Sequence, residues 1–154
     1  MLSSVEAKLP PLLVVALVAA AMWGTARATV SFESAFWLRL GLAGLLLVAA
    51  VVLVVAGLLE FRRANTTVNP MAPEESSTVV RSGVYHYSRN PMYLGFLVAL
   101  IGWAVWLAAP WALLGPALYV VWMTRFQIIP EERALAEQFG ADYLDYCRRT
   151  RRWV

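Results

Sequence analysis

A run of thirty-four uncharged residues, from Pro91 to Thr124, constrains this chain more than any other feature. Because an α-helix rises about 1.5 Å per residue, about 20 residues are needed to cross the ~30 Å hydrocarbon layer of a bilayer. The run is therefore too long for one span and suits two short ones. Pro110 predicts the turn between them, since proline cannot continue a helix that precedes it. Such a hairpin returns both of its polar ends to the same membrane face.

The composition supports an integral membrane protein. Of the 154 residues, 60% are hydrophobic and only 15% are charged, whereas soluble domains carry about 25% charged residues. Two further uncharged stretches, Leu9 to Ala26 and Leu40 to Leu59, have spanning length. Ala26-Arg27-Ala28 resembles a signal-peptidase site, but the long apolar core favours a retained helix, as does a leading segment in which Glu6 offsets Lys8. We therefore predict an all-α integral membrane protein with four transmembrane helices.

A fifth helix is predicted after the last span. Pro130 would open it, and apolar side chains then recur at helical spacing with charges between them, at Leu135, Phe139, Tyr143 and Tyr146. We expect this C-terminal amphipathic helix to lie at the cytoplasmic face, with Gly140 as a break in it. The whole chain, 1–154, is then one domain: a helical hairpin over 1–60, a cytoplasmic loop over 61–90, and a hairpin with a C-terminal helix over 91–154.

The positions of Lys and Arg predict the orientation. With four spans, eleven of the 13 basic residues lie on the side that holds both termini and the 61–90 loop, and only Arg27 and Arg39 lie on the other. Because basic residues accumulate on the cytoplasmic side, we expect both termini to be cytoplasmic. The net charge of +3 then describes a basic membrane face and not a nucleic-acid binder. We place the 148–152 arginines at anionic headgroups and Trp153 at the interface.

Small residues at regular spacing predict close contacts between the membrane helices. They form one stripe in each of the first three predicted spans: Ala16, Ala20 and Gly24; Ala43, Ala50 and Gly57; and Gly95, Ala99 and Gly102. The same stripes would permit helix–helix dimers, although nothing in the sequence indicates an oligomer.

Two polar clusters flank the apolar hairpin. The first, within Ser82–Gly95, has tyrosine faces that attract cations such as sulfonium, and Arg89, whose planar donors suit a carboxylate or phosphate. Asn90 and Pro91 are typical of a helix start. The second cluster contains an arginine and two acids, Arg125, Glu131 and Glu132. Brought together by the hairpin, they would form a mixed-sign pocket for a zwitterionic ligand with hydroxyl groups. Taken separately, the clusters also fit an aromatic belt and acids at a helix N-terminus.

The two clusters carry a resemblance to a known family. Gly83-Val-Tyr-His-Tyr-Ser-Arg89-Asn-Pro-Met-Tyr-Leu-Gly95, an apolar hairpin, Glu131-Glu-Arg-Ala-Leu135 and Phe139-Gly-Ala-Asp-Tyr143-Leu-Asp-Tyr146 resemble the isoprenylcysteine carboxyl methyltransferase and phospholipid methyltransferase family. Thr66-Thr-Val-Asn-Pro70 is similar to bacterial members, which favours a bacterial-type inner membrane. The resemblance implies a methyltransferase that holds S-adenosylmethionine at the cytoplasmic face, with a lipid-like or lipidated acceptor entering from the bilayer.

The resemblance also implies roles for individual residues. Arg125 would lie near the acceptor and, with Glu131, is assigned to catalysis. The cofactor-binding set is Tyr85, Tyr87, Arg89, Asn90, Pro91, Tyr93, Leu94, Glu131 and Glu132. No metal is expected, because the chain lacks a ligand cluster. Many family members have histidine where this chain has Asn90, and asparagine cannot titrate near neutral pH.

Two other interpretations stay open at this point. Membrane sterol reductases, which bind NADPH, resemble this family in their C-terminal hairpin and tyrosine-rich tail. A non-catalytic four-helix module that binds anionic lipid through its basic tail would also explain the charge bias. The nature of the acceptor (carboxylate, amine, thiol or headgroup) is not determined by the sequence, because kinship in fold does not define a substrate.

Overall fold

The computed structural model describes residues 9–30, 35–65 and 77–154. Its α-helices are α1 (Pro11–Ala28), α2 (Phe36–Arg63), α3 (Pro91–Leu107), α4 (Leu114–Met123), α5 (Ile129–Phe139) and α6 (Ala141–Arg149). Within these ranges the regular structure is entirely helical, which confirms the predicted all-α class. Thr66–Pro70 and the middle of the predicted 61–90 loop lie outside the described residues.

Three helical segments are long and apolar enough to cross a membrane: Pro11–Ala28, Phe36–Arg63 and Pro110–Phe139. The remaining apolar helix, α3, has 17 residues and rises about 26 Å, slightly less than the hydrocarbon layer. The chain is therefore an integral membrane protein by the length and composition of its helices. The count of four predicted spans depends on α3.

The small-residue stripes of α2 and α3 pack against each other, as their spacing predicted. A Cβ at Gly95 would lie 2.7 Å from Val54 Cγ2 and 2.9 Å from the Ala50 carbonyl oxygen. One at Gly102 would lie 3.1 Å from Leu46 Cβ. The two backbones can approach this closely only because glycine presents no side chain at the contact. This pairing joins the N-terminal hairpin to the helix that begins at the first polar cluster.

The stripe of α1 behaves differently, because it packs against no other helix among the described residues. Ala16, Ala20 and Gly24 are exposed, and a Cβ at Gly24 would meet nothing within 4 Å. Instead, the opposite face of α1 packs on α4, where a Cβ at Gly115 would collide with the side chain of Met22. The larger apolar side chains therefore determine which face of α1 is buried.

Replacing Gly95 with alanine should destabilise the protein by about 1–3 kcal/mol, because the added methyl group would overpack the α2–α3 contact. Gly44→Ala is the matched control, since its Cβ would enter open space on α2. Alanine is also favoured over glycine inside a helix by about 1 kcal/mol. Thermal unfolding in detergent should therefore show a lower midpoint for Gly95→Ala and an unchanged or higher one for Gly44→Ala. Equal midpoints would contradict this account of the interface.

The turn of the apolar hairpin falls where Pro110 predicted it. Ala108 adopts a left-handed conformation with φ 50° after α3, and a 3₁₀ turn over Pro110–Leu113 leads into α4. α3 is therefore followed by an antiparallel partner that returns toward the start of α3. The hydroxyl of Tyr119 in α4 donates a hydrogen bond to the Tyr93 carbonyl oxygen in α3 at 3.2 Å.

α5 has Pro130 in its first turn, as predicted, but it continues directly from the preceding helix. A π-helical turn over Thr124–Ile128 joins α4 to α5, so the chain stays helical from Pro110 to Phe139. Proline lacks an N–H group and crowds the carbonyl one turn before it. The wider turn accommodates this, because the Ile129 N–H donates to the Thr124 carbonyl oxygen five residues earlier. The predicted break at Gly140 is confirmed: its φ of 52° and ψ of −127° separate α5 from α6.

Candidate functional site

The polar segment before α3 is attached to the end of α2 by a buried carboxylate. The Ser82 hydroxyl donates a hydrogen bond to Glu60, and Arg63 Nη1 lies 2.7 Å from Glu60 Oε1. Gly83 has a φ of +57°, and a Cβ there would lie 2.7 Å from Glu60 Cδ. Glycine is therefore required twice at this position, for its conformation and for the close approach. Sequence analysis missed Glu60, although an acid at the end of an apolar helix was a signal.

Tyr85 and Tyr87, both predicted to bind cofactor, occupy different environments. Tyr85 is buried in a 3₁₀ turn over Gly83–His86, with its ring edge-on to Phe61 at a centroid distance of 5.3 Å. Its carbonyl oxygen accepts a hydrogen bond of 2.7 Å from the Tyr146 hydroxyl of α6. Burial raises the pKa of the Tyr146 phenol above its ordinary value, so the hydroxyl remains a donor. Tyr87 is 77% exposed.

α3 begins as predicted, but Asn90 does not cap it with its side chain. Asn90 is the N-cap residue and Pro91 occupies the first, buried turn. The Asn90 side-chain amide donates instead to the Arg152 carbonyl oxygen at 2.9 Å. The Asn90 carbonyl oxygen accepts from the Leu94 N–H at 2.9 Å, within the first turn of the helix. The asparagine therefore connects the start of α3 to the C-terminal end of the chain.

Glu131 is held by two side-chain donors. Its Oε1 atom accepts hydrogen bonds from the Tyr93 hydroxyl at 2.6 Å and from Gln127 Nε2 at 2.5 Å. Tyr93 lies in the first turns of α3 and Glu131 at the start of α5, so the bond closes the base of the apolar hairpin. The structure therefore brings a residue from each polar cluster into direct contact, as predicted. Gln127, from the π-helical turn, was not predicted.

Glu132 is the centre of an arginine–carboxylate cluster. Arg152 Nε and Nη2 lie 3.0 and 2.6 Å from its two oxygens, and Arg89 Nη2 lies 3.2 Å from Oε1. The side chains of Arg89 and Glu132 are only 13% and 16% exposed. Arg89 Nε is buried and has no hydrogen-bond partner within the described residues. Two cations and one anion leave this cluster with a net charge of +1, which suits an anionic group.

The structure places Arg125 at the surface. Its exposed side chain projects from the π-helical turn, with the guanidinium carbon 5.5 Å from the centre of the Phe126 ring. Among the predicted site residues, Arg125 and Tyr87 are thus the exposed ones, whereas Arg89, Tyr93, Glu131 and Glu132 form the connected core of the site.

The end of the chain points inward, which corrects the expectation for two residues. Arg152 pairs with the Glu132 carboxylate of the site. Trp153 donates a hydrogen bond of 3.1 Å to Thr124 Oγ1, with its ring 6.4 Å from that of Tyr119. Sequence analysis missed both contacts because a basic run after an apolar hairpin is also typical of a membrane-facing tail.

The sequence is similar to those of several known proteins. The phospholipid methyltransferase family model matches residues 38–142. An uncharacterized protein of Haemophilus influenzae is 38% identical over 63 residues, 41% of this chain and 100% of that protein. Protein-S-isoprenylcysteine O-methyltransferase B of Arabidopsis thaliana is 36% identical over 88 residues, 56% of this chain and 44% of the relative. The human protein-S-isoprenylcysteine O-methyltransferase is 34% identical over 128 residues, 77% of this chain and 44% of the relative.

The chain spans less than half the length of these two methyltransferases. No solved structure matches it significantly. The family model, in contrast, extends from α2 to the start of α6 and includes Arg89, Tyr93, Glu131 and Glu132. On the strength of that match, which covers more than half of its length, this chain belongs to the phospholipid methyltransferase family.

Proposed function

We propose that this protein is an S-adenosylmethionine-dependent methyltransferase that acts on a lipid-like or membrane-embedded acceptor at the cytoplasmic membrane face. One observation carries the proposal beyond family membership. Arg89 is buried beside Glu132, yet its Nε donor has no partner among the described residues. A buried donor without a partner costs about 1–3 kcal/mol. A ligand carboxylate would satisfy it and would match the net positive charge of the cluster.

The remaining polar groups fit the rest of the cofactor. The Glu131 carboxylate, fixed by Tyr93 and Gln127, favours a cation in its vicinity. Tyr85, Tyr87, Asn90, Pro91 and Leu94 surround the start of α3 and are assigned to the same binding loop. When bound, the cofactor supplies an electrophilic methyl group on a sulfonium sulfur. The protein's own contribution is to orient that end between Arg89 and Glu131 and to exclude water from it.

The acceptor is assigned to the side of the site that carries Arg125. Its exposed side chain lies on the π-helical turn within the candidate membrane-spanning segment Pro110–Phe139. A cation there can hold an anionic reacting group while an apolar tail remains among the lipids. The relatives from Arabidopsis and human are named for methylation of isoprenylcysteine. We extend to this chain only a lipid-like or lipidated acceptor.

For the topology we propose four spans, with α3 as the fourth, in a bacterial-type inner membrane with both termini cytoplasmic. The hairpin supports this, because α3 and the Pro110–Phe139 helix have both of their polar ends at the site. The distribution of eleven basic residues against two supports the orientation. In this arrangement the C-terminal α6, with Arg148 and Arg149 exposed, is an amphipathic helix at the cytoplasmic face, and the chain forms one domain.

Calorimetric titration of the purified protein in detergent with S-adenosylhomocysteine tests the proposal, with NADPH titrated in parallel. We expect saturable binding of S-adenosylhomocysteine and none of NADPH. NADPH binding alone would replace the proposal with a reductase. Binding of neither ligand to folded protein would favour a non-catalytic membrane module.

A further inference from the structure

The last residues of the chain form a strap across the start of α3. We define this C-terminal strap as Thr150–Trp153. The Arg89 N–H donates to the Arg151 carbonyl oxygen at 3.0 Å, and Ser88 and Arg151 form an isolated parallel β-bridge. With the bond from the Asn90 amide to the Arg152 carbonyl oxygen, the strap is joined by its backbone to the loop that carries Arg89.

Most side chains of the C-terminal strap contact the protein. Thr150 Oγ1 lies 3.4 Å from the His86 carbonyl oxygen, and Trp153 Nε1 bonds to Thr124 Oγ1. Arg151, between them, is exposed. The inward residues contact both polar clusters of the site: His86 precedes α3, and Thr124 begins the π-helical turn. The C-terminal strap is therefore held by the same two segments that carry the polar clusters of the site.

Arg152 occupies both oxygens of Glu132. Its Nε and Nη2 atoms donate at 3.0 and 2.6 Å in the two-point geometry that makes arginine–carboxylate pairs strong. Arg89 reaches the same carboxylate through one nitrogen, at 3.2 Å, and its Nε has no partner among the described residues. Arg152 holds both oxygens of Glu132 whereas Arg89 contacts only one of them, so the Arg89 Nε donor remains for another anion.

We propose that Arg152 is a positioning residue of the cofactor site, which holds Glu132 so that Arg89 binds the carboxylate of the amino-acid end of S-adenosylmethionine. This inference rests on the proposed function and adds to it a residue outside the family match, which ends at residue 142. It also assigns the C-terminal strap to the site: removal of Thr150–Trp153 removes the second cation of the cluster and the backbone acceptor of the Arg89 N–H.

The test compares Arg152→Ala, Arg152→Lys and Arg148→Ala in competition binding of two ligands. One ligand is S-adenosylhomocysteine, and the other is its decarboxylated analogue, which lacks only the carboxylate. We expect the wild-type protein to bind the analogue at least about 10-fold more weakly than S-adenosylhomocysteine, as for a lost charged hydrogen bond. Arg152→Ala should weaken S-adenosylhomocysteine binding by about 10- to 100-fold and binding of the analogue by about 3-fold or less. Arg148→Ala, at an exposed position of α6 outside the C-terminal strap, should match the wild type.

Arg152→Lys provides a second measure if Arg152→Ala yields little folded protein. Lysine keeps the positive charge but lacks the planar two-point donor geometry of arginine. Arg152→Lys should therefore lose less affinity than Arg152→Ala, and again only for the ligand that has the carboxylate. Equal losses for both ligands would reduce Arg152 to a structural contact and overturn the inference, as would wild-type affinity in both Arg152 variants. Equal wild-type affinity for the two ligands would also overturn it. Only failure of the wild type to bind S-adenosylhomocysteine would remove the proposed function as well.

Discussion

Replacement of Glu132 by alanine should abolish detectable binding of S-adenosylhomocysteine while the protein remains folded. Glu132 is the one carboxylate described between Arg89 and Arg152. Without it, two partly buried guanidinium groups would repel each other. Removing one partner of a buried ion pair costs about 3–5 kcal/mol, which corresponds to a loss of at least about 100-fold in affinity if the cost falls on the bound state. Arg89→Ala should have the same effect, because it removes the proposed carboxylate ligand.

Glu137→Ala is the matched control for Glu132→Ala, since Glu137 is an exposed acid on the same helix, α5. It should bind as the wild type does. Calorimetric titration gives the affinities, and thermal unfolding in detergent shows whether each variant is folded. Folded Glu132→Ala and Arg89→Ala proteins with normal affinity would remove these two residues from the cofactor site.

Glu131→Gln should weaken the binding of S-adenosylmethionine much more than the binding of S-adenosylhomocysteine. The substitution preserves the shape of the side chain and an oxygen that can accept from Tyr93, but it removes the negative charge. At an effective dielectric constant of about 20, charges ~5 Å apart interact by about 3 kcal/mol. Binding of the sulfonium ligand should therefore fall by about 10- to 100-fold. Binding of the neutral thioether should change by less than about 3-fold, because it carries no charge at sulfur.

Competition binding of both ligands to Glu131→Gln, with Glu137→Gln as the control, provides the measurement. Methyl transfer by the variant should be slower as well, if Glu131 lies near the reacting group. An equal loss of affinity for the two ligands would mean that Glu131 contacts a part of the cofactor other than the sulfonium group. Tyr93→Phe removes one of the two donors that fix Glu131. It should also weaken binding of S-adenosylmethionine more than binding of S-adenosylhomocysteine, but by less than Glu131→Gln does.

Much of the candidate site could be predicted because its position follows from local rules. Pro110 marks the turn of the hairpin, Pro91 the start of α3, and Gly140 the break before α6. Once the turn is known, the two polar clusters must meet at one end of the hairpin. The bonds from Tyr93 to Glu131 and from Arg89 to Glu132 are the result. The stripes of α2 and α3 were equally predictable, since seven-residue spacing keeps small residues on one helix face.

The partners of the charged residues could not be predicted in the same way. Arg152 is 20 residues from Glu132, and no local pattern distinguishes it from Arg151, which is exposed. The Arg89 N–H and the Asn90 amide hydrogen-bond to the backbone of the strap and set its register, and that register decides which of the two arginines faces Glu132. The same holds for Trp153, which has the composition of an interfacial anchor but packs beside Tyr119.

The sequence by itself therefore determined that the protein is an all-α membrane protein, that it contains the apolar hairpin, and at which end of the hairpin the two polar clusters meet. Each depends on the polarity of long segments and on the backbone limits of proline and glycine. Only the tertiary structure decided that α1 turns its small residues outward, that the helix continues through Pro130, and that Arg152 joins Arg89 and Glu132 in the ion-pair cluster. These features depend on packing and on pairing between distant segments, where several sequence-compatible partners compete and the three-dimensional arrangement selects one.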